Sequence, residues 1–273
     1  MPNTVIMVWM QDPLAGLGDL LRGTMYLCEL SQQLKFRLIV DTQLHPVSHF
    51  LISNSHEYSD YVRQNKHQVI NLVNAVNSAA KIKEHVLAKT DDPILLIANP
   101  TDNIHSHPSP HAVALIRTIL APSEEFKSYF GAMCAEFKIA SPYTIVHLRL
   151  GDDDLVQQIA NNQKYNALLP LIDAHIHPND NARIISDSAA FKQYLSKVRP
   201  HLAHRIIPTT PVHLSHSTDI DMMKETVFDL FLLMNAHAIK TYTNYVWVSG
   251  FVQWISRVFN VPLISMQSHR NSF

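Results

Sequence analysis

The sequence predicts an α/β protein built from two doubly wound halves that face each other across a cleft. Three observations predict it. Short β-branched runs alternate with helical patterns along the chain, the signature of parallel sheets with crossover helices. The alternation occurs twice, on either side of a break at residues 138–142, where Ser141-Pro142 stops a helical pattern. The chain of 273 residues is long enough for two medium domains. The predicted domains are residues 1–140 and 141–273, each Rossmann-like.

In the first half, Thr4–Met10 is the opening strand, followed by the loop QDPLAGLGD. Leu20–Leu34 reads as a helix, with Leu21, Met25, Cys28 and Leu34 on one apolar stripe. Phe36–Val40 is the next strand. The segment HPVSHFLISNSHEYSD has no clear period and reads as loop or short helix. Ile94–Ala98 is a further strand ended by NPTDN. HSHPSPH is a loop, and two amphipathic helical stretches run to the neighbourhood of Ala135. The stretch between His45 and Lys89 carries neither motif nor period.

The second half begins with the strand Tyr143–Leu150, and a helix follows around Tyr165–His177. Ala182–Ser186 is a strand ending in Asp187-Ser188, and Ser188 is placed to cap the helix FKQYLSKV. A strand Arg205–Ile207 and the loop TTPVHLSHSTDID lead to a helix over Met222–Ala236. The strand Ala238–Tyr242 follows. Ser249-Gly250 opens the helix FVQWISRVF, and Val261–Ile264 is a last short strand.

Composition narrows the function. Net charge is −1, which gives no global case for binding nucleic acid or an anionic membrane surface. No apolar run approaches the ~18 residues of a spanning helix. The first residues, MPNTVIMVWMQD, read as a strand rather than a signal peptide. Cys28 and Cys134 are expected as unpaired thiols, which fits a reducing, cytoplasmic setting. Histidine is abundant at 17, clustered at His105/His107/His111, His175/His177 and His213/His216. None of these makes the helical i, i+4 pair with a catalytic acid that zinc hydrolases use, so they read as surface histidines and no metal is expected.

Four constellations carry candidate chemistry. The strand YTIVHLRLGD places His147 and Arg149 on an otherwise apolar segment that ends in a glycine turn. A charge there needs a counter-charge or a cleft. It either pairs with Asp152 or Asp153, or grips a phosphate with its planar fork at the strand end where open α/β sheets hold ligands. The loop Gly16-Leu17-Gly18-Asp19 with Gly23 holds three of the chain's 6 glycines. It is either a tight strand-to-helix turn or a backbone cradle for an anion at a helix start. Asp229, set among Phe228, Phe231 and Leu232, either pairs with Lys224 or Lys240 or accepts hydrogen bonds from a ligand such as a guanine edge. Ser249-Gly250-Phe251 is either a plain N-cap or a second phosphate cradle.

These pieces in this order resemble the fucosyltransferase superfamily of GT-B-like glycosyltransferases, which includes α1,2-, α1,6- and protein O-fucosyltransferases. GLGDLLRG is similar to that family's glycine-rich loop, and VHLRLGD to its His-x-Arg-x-x-Asp strand end. IISDSAAFKQYL is similar to the strand–Asp–helix element that follows, and DLFLLMNAHAIKTYTN…SGFVQWISRVF to its Asp-led helix, strand and Ser-x-Phe helix start. The resemblance covers most of the second half and the first ~35 residues.

The resemblance implies an inverting transfer of a sugar, L-fucose from GDP-fucose, to a glycan or protein hydroxyl. It implies that Arg149 grips the β-phosphate of departing GDP and that Asp152 braces that arginine. His147, through its backbone, and Asp229 would meet guanine. Ser249, Gly250 and Phe251 would contact the phosphates, and Gly16 to Gly18 would close over the sugar-phosphate. Asp19 is the candidate acceptor base. The link from Thr241 to Ser249 is longer than the family's, which makes Thr243 or Asn244 the alternative phosphate contact. An arginine with helix-end N–H groups can stabilise leaving GDP without a metal. The alternatives are a GT-B transferase using another nucleotide sugar, or a catalytically silent GT-B-like binding module.

Overall fold

The computed structural model describes residues 4–11, 15–52, 56–73, 78–88, 94–100, 107–151, 162–212, 219–245 and 248–267. The chain divides into two compact units at Glu124/Glu125, whereas the proline-marked break suggested residues 138–142. The reason is the helix Glu124–Glu136 (α5), whose aromatic face packs on the second unit. Phe126 and Phe130 lie with ring centroids 5.0 and 5.3 Å from Phe231 and Phe228.

The first unit is a four-stranded parallel sheet ordered β2-β1-β4-β3. β1 (Thr4–Val8) is the centre, flanked by β2 (Arg37–Asp41) and β4 (Ile94–Ala98) in register Val8↔Asp41 and Val8↔Ala98. Val5 to Trp9 are fully buried, as a central parallel strand covered on both faces requires. α1 (Leu17–Leu34) begins three residues before the expected Leu20, because Gly16 takes the N-cap position and Asp19 reaches back to its N–H. Gly23 is a packing residue: a Cβ there would sit 2.0 Å from the Pro100 carbonyl oxygen. The irregular segment holds α2 (His56–Gln64), β3 (Ile70–Asn71) and α3 (Ser78–Leu87), and α4 (Pro110–Ile119) follows β4. β3 is only two residues long, too short to show any alternation.

The second unit repeats the plan with a parallel sheet ordered β6-β5-β7-β8. Its strands are β5 (Thr144–Arg149), β6 (Ala182–Ser186), β7 (Ala238–Thr243) and β8 (Leu263–Ser265). The helices α6 (Asn162–His175) and α7 (Ala189–Val198) cover one face, where Tyr165, Leu168, Ile172, Phe191 and Leu195 meet Val146, Leu148 and Ile184. α8 (Ile220–Met234) and α9 (Gly250–Phe259) complete the unit. Each large apolar side chain buried here contributes roughly 1.5–3 kcal/mol.

The expected strand Arg205–Ile207 is a 3₁₀ turn over Pro200–Arg205, followed by a single parallel bridge between Ile184 and Ile206. Pro200 starts the turn, and Pro208 lacks the N–H a longer ladder would need. Ser188 caps α7 as expected, accepting the Phe191 N–H at 3.0 Å. Cys28 and Cys134 are unpaired thiols, the first buried and the second half-buried. No described helix is long and apolar enough to cross a membrane.

Candidate functional site

Side chains alternate faces along a strand, so Val146, Leu148 and Leu150 enter the apolar core while His147 and Arg149 share the other face of β5. β5 ends in the turn Leu150-Gly151, and Gly151 has φ +120°, which only glycine adopts without strain. Asp187, at the end of neighbouring β6, holds this turn. One oxygen accepts the Leu150 N–H at 2.8 Å; the other accepts the Gly151 N–H at 3.2 Å and the Arg149 guanidinium at 2.9 Å. The Arg149 and Asp187 side chains are 17% and 7% exposed, so the pair is largely withdrawn from water. Charge-assisted bonds of this kind are about twice as strong as neutral ones.

Asp187 therefore does what the resemblance assigned to Asp152. Asp152 lies outside the described residues, as do Asp153 and Asp154. The signal for Asp187 was an acid at the end of the strand next to β5. It became legible only through the register Leu148↔Ser186, which brings the following pair, Arg149 and Asp187, side by side.

β7 closes the other side of the turn. Thr243 is the register partner of Arg149, and the Asn244 N–H donates to the Arg149 carbonyl at 3.1 Å. The Asn244 side-chain amide donates to the Leu150 carbonyl and its oxygen accepts the Tyr242 hydroxyl at 2.7 Å, so Asn244 ties the turn to β7. The Lys164 ammonium donates to the same Leu150 carbonyl at 2.6 Å. The Tyr245 ring lies 6.0 Å from the Arg149 guanidinium carbon. This aromatic neighbour had no signal in the pattern of hydrophobic residues.

His147 is buried, and its Nδ1 lies 3.1 Å from the Thr241 hydroxyl. Burial, aided by the Arg149 charge, pushes its pKa down to about 3, so the ring is neutral in ordinary conditions. Its ring centroid is 6.5 Å from that of Phe251, which brings the start of α9 beside β5. Ser249 occupies the N-cap position of α9, but its hydroxyl accepts no capping bond. The first-turn N–H groups behind Gly250 and Phe251 thus keep the anion-attracting character of a helix start.

Asp229 lies deeper, 4% exposed on α8. It pairs with neither Lys224 nor Lys240. Lys224 sits over the Tyr129 ring at 4.2 Å, and Lys240 donates to the His175 carbonyl at 2.7 Å. Both Asp229 oxygens instead lie 3.0–3.1 Å from the Thr209 hydroxyl, which Lys192 also contacts at 3.2 Å. Burial raises the Asp229 pKa to about 6, against the opposing pull of Lys192 and Thr209. Lys192 feels three acid groups, Asp229, Glu225 and Asp187.

The glycine-loop residues lie in the first unit. Asp19 accepts the Gly16 N–H at 3.1 Å and pairs with Arg22 at 2.7 Å, while Gly18 lies in the first turn of α1. Both oxygens of Asp19 thus carry donors. Among the described residues no group of three or more His, Cys, Asp or Glu side chains could hold a metal ion.

No family model matches the sequence, and no curated protein matches it. Solved structures do. NodZ α-1,6-fucosyltransferase of Bradyrhizobium, soaked with GDP-fucose, is similar with a TM-score of 0.61 and 13% identity over 100% of this chain and 98% of that one. A POFUT1 complex with GDP matches with a TM-score of 0.54 and 9% identity over 97% of this chain and 99% of that one. Arabidopsis thaliana FUT1 mutant R284K in complex with GDP matches with a TM-score of 0.56 and 11% identity, covering 97% and 70% of the two chains. With its two parallel four-stranded sheets, the chain has the GT-B-like α/β fold of these fucosyltransferase structures.

Proposed function

We propose that the chain is an inverting glycosyltransferase that moves L-fucose from GDP-fucose to a hydroxyl of a glycan or protein acceptor. The observation that carries this reading is Arg149, a cation at the end of β5, held by Asp187 beside a glycine turn, on a strand whose His147 lies beside Phe251 at the start of α9. The fold is that of proteins solved with GDP or GDP-fucose, which supports a GDP-sugar as the donor.

In this reading Arg149 binds the β-phosphate. The N–H groups at the start of α9, around Ser249, Gly250 and Phe251, add their partial positive charge. As the glycosidic bond stretches, charge accumulates on the leaving diphosphate. A fixed arginine, already oriented by Asp187, stabilises that charge without reorganising. No metal is needed for this step. The guanine edge is read by the Asp229 carboxylate and the His147 backbone. The Gly16 and Gly18 backbone contacts, and Asp19 as acceptor base, rest on the resemblance alone; the engagement of Asp19 with Gly16 and Arg22 favours a bracing task for it.

Calorimetric titration with GDP and with UDP tests the donor. GDP binding with UDP much weaker is the expected result. Absence of GDP binding overturns the reading, and equal UDP binding moves the donor to another nucleotide sugar. Release of fucose from GDP-fucose, with and without a mixture of glycan acceptors, then tests the transfer.

A further inference from the structure

One buried lysine is not used by the mechanism above. Lys192 lies on α7 and is 5% exposed, an unusual place for an ammonium group. Its three protons have three acceptors: the Ile207 carbonyl at 3.2 Å, the Thr209 carbonyl, and the Thr209 hydroxyl at 3.2 Å. An ammonium can only donate, so the Thr209 hydroxyl receives from Lys192 and must direct its own proton elsewhere. The atoms in reach are the two oxygens of Asp229. The direction of the chain is thereby fixed: Lys192 donates to Thr209, and Thr209 donates to Asp229. All three side chains are at most 5% exposed.

We infer that Lys192 is a positioning residue for nucleotide recognition, aiming the Asp229 carboxylate through Thr209 at a purine edge that presents two adjacent N–H donors. This rests on the GDP reading of the site. A carboxylate takes such an edge only when ionised, with an acceptor on each oxygen. A buried carboxylate stays ionised only if cation and donor offset its lost hydration. Lys192 supplies the charge and Thr209 the donor.

The surrounding charges set how strongly Asp229 depends on this support. Glu225, on the same helix, opposes its ionisation. Asp187, at the end of β6, draws on the same lysine. From α5, the Tyr129 hydroxyl feels both Asp229 and Glu225, and Lys224 lies over that ring. Lys192 is the cation whose charge acts directly on the Asp229 carboxylate.

The test measures Kd for GDP and for IDP, which lacks the exocyclic amine, across pH 5–8.5. The proteins compared are the unmodified chain, Thr209→Val, Thr209→Ser, Lys192→Arg and Lys192→Met. The expected unmodified preference for GDP over IDP fades as pH falls below about 6. Thr209→Val should lower the GDP/IDP preference about tenfold, the value of one charge-assisted hydrogen bond. It should leave inorganic pyrophosphate binding unchanged, and Thr209→Ser should restore the preference. Lys192→Met should move the pH midpoint of the preference upward, with Lys192→Arg nearer the unmodified chain. Should Lys192→Met fail to fold, the Thr209 pair decides. An unchanged preference and midpoint in Thr209→Val overturns the inference. A chain that binds no GDP at all overturns the nucleotide reading beneath it.

Discussion

Asp187 holds Arg149 at 2.9 Å with an oxygen that also accepts the Gly151 N–H, so one carboxylate fixes both the cation and the turn that carries it past the strand. The arginine is thus oriented before any ligand arrives. Arg149→Ala should fold, because Asp187 keeps the Leu150 and Gly151 N–H groups as donors, yet should lose about 2.7–4 kcal/mol of transition-state stabilisation, or ~10²–10³ in kcat. Asp187→Asn keeps the shape but removes the counter-charge. It should lower kcat with less effect on the Kd for GDP, since a mis-aimed arginine still attracts phosphate. Steady-state rates with GDP-fucose and calorimetric GDP affinity check both. An Arg149→Ala protein with full turnover would reduce the pair to a turn-closing ion bridge.

Gly151 makes a separate statement about the same turn. Its φ of +120° is open to glycine and strained for any L side chain, and the nearest atom to a built Cβ is the Tyr245 hydroxyl at 3.8 Å. Space is therefore not the obstacle; backbone strain is. Gly151→Ala should cost about 1–3 kcal/mol and displace the Arg149 end of β5. Urea unfolding followed by far-UV circular dichroism gives the first number. A loss of GDP affinity without a stability change would mean that the turn gives way while the fold holds.

Gly23 tests a different reading of a glycine. It stands close to Gly16 and Gly18 in sequence, and the three together suggested a ligand cradle. In the fold Gly23 faces the Pro100 carbonyl, which a Cβ would approach to 2.0 Å. Gly23→Ala must push α1 away from the end of β4, an overpacking penalty of about 1–3 kcal/mol. The measured effect should be a lower Tm of the first unit, with GDP affinity of the second unit kept. A drop in GDP affinity at unchanged Tm would return Gly23 to the cradle.

What was legible in the sequence follows from which interactions are local. β1, β4, β5 and β6 announce themselves because parallel strands buried on both faces read as continuous apolar runs. The Ser188 cap was legible because it lies three residues from its partner. The Arg149–Asp187 pair spans 38 positions and depends on sheet register, so neither residue alone identifies the other. The chain Lys192–Thr209–Asp229 was hidden for the same reason, with an additional one: a lysine inside FKQYLSKV looks like the solvent face of an amphipathic helix. β3 was missed because two residues carry no period, and the strand expected over Arg205–Ile207 shrinks to a single bridge at Ile206.

The pH dependence of the second unit is set by two buried groups that pull in opposite directions. His147 has its folded pKa pushed from 6.5 down to about 3, so between those values the unfolded chain binds more protons and stability falls as pH falls. Asp229 has its folded pKa raised from 3.8 to about 6, so between those values the folded chain binds more protons and stability rises as pH falls. Each slope is about 1.4 kcal/mol per pH unit. From pH 6 to 4 they offset each other, and these two groups leave the unmodified unit nearly level. Asp229→Asn removes only the second slope. That variant should therefore lose about 1.4 kcal/mol per pH unit on acidification through the same window. Urea midpoints at pH 4, 5 and 6 measure the difference. Parallel curves for the two proteins would mean that Asp229 titrates as an ordinary carboxylate, and the support that Lys192 and Thr209 give it would then have little burial to offset.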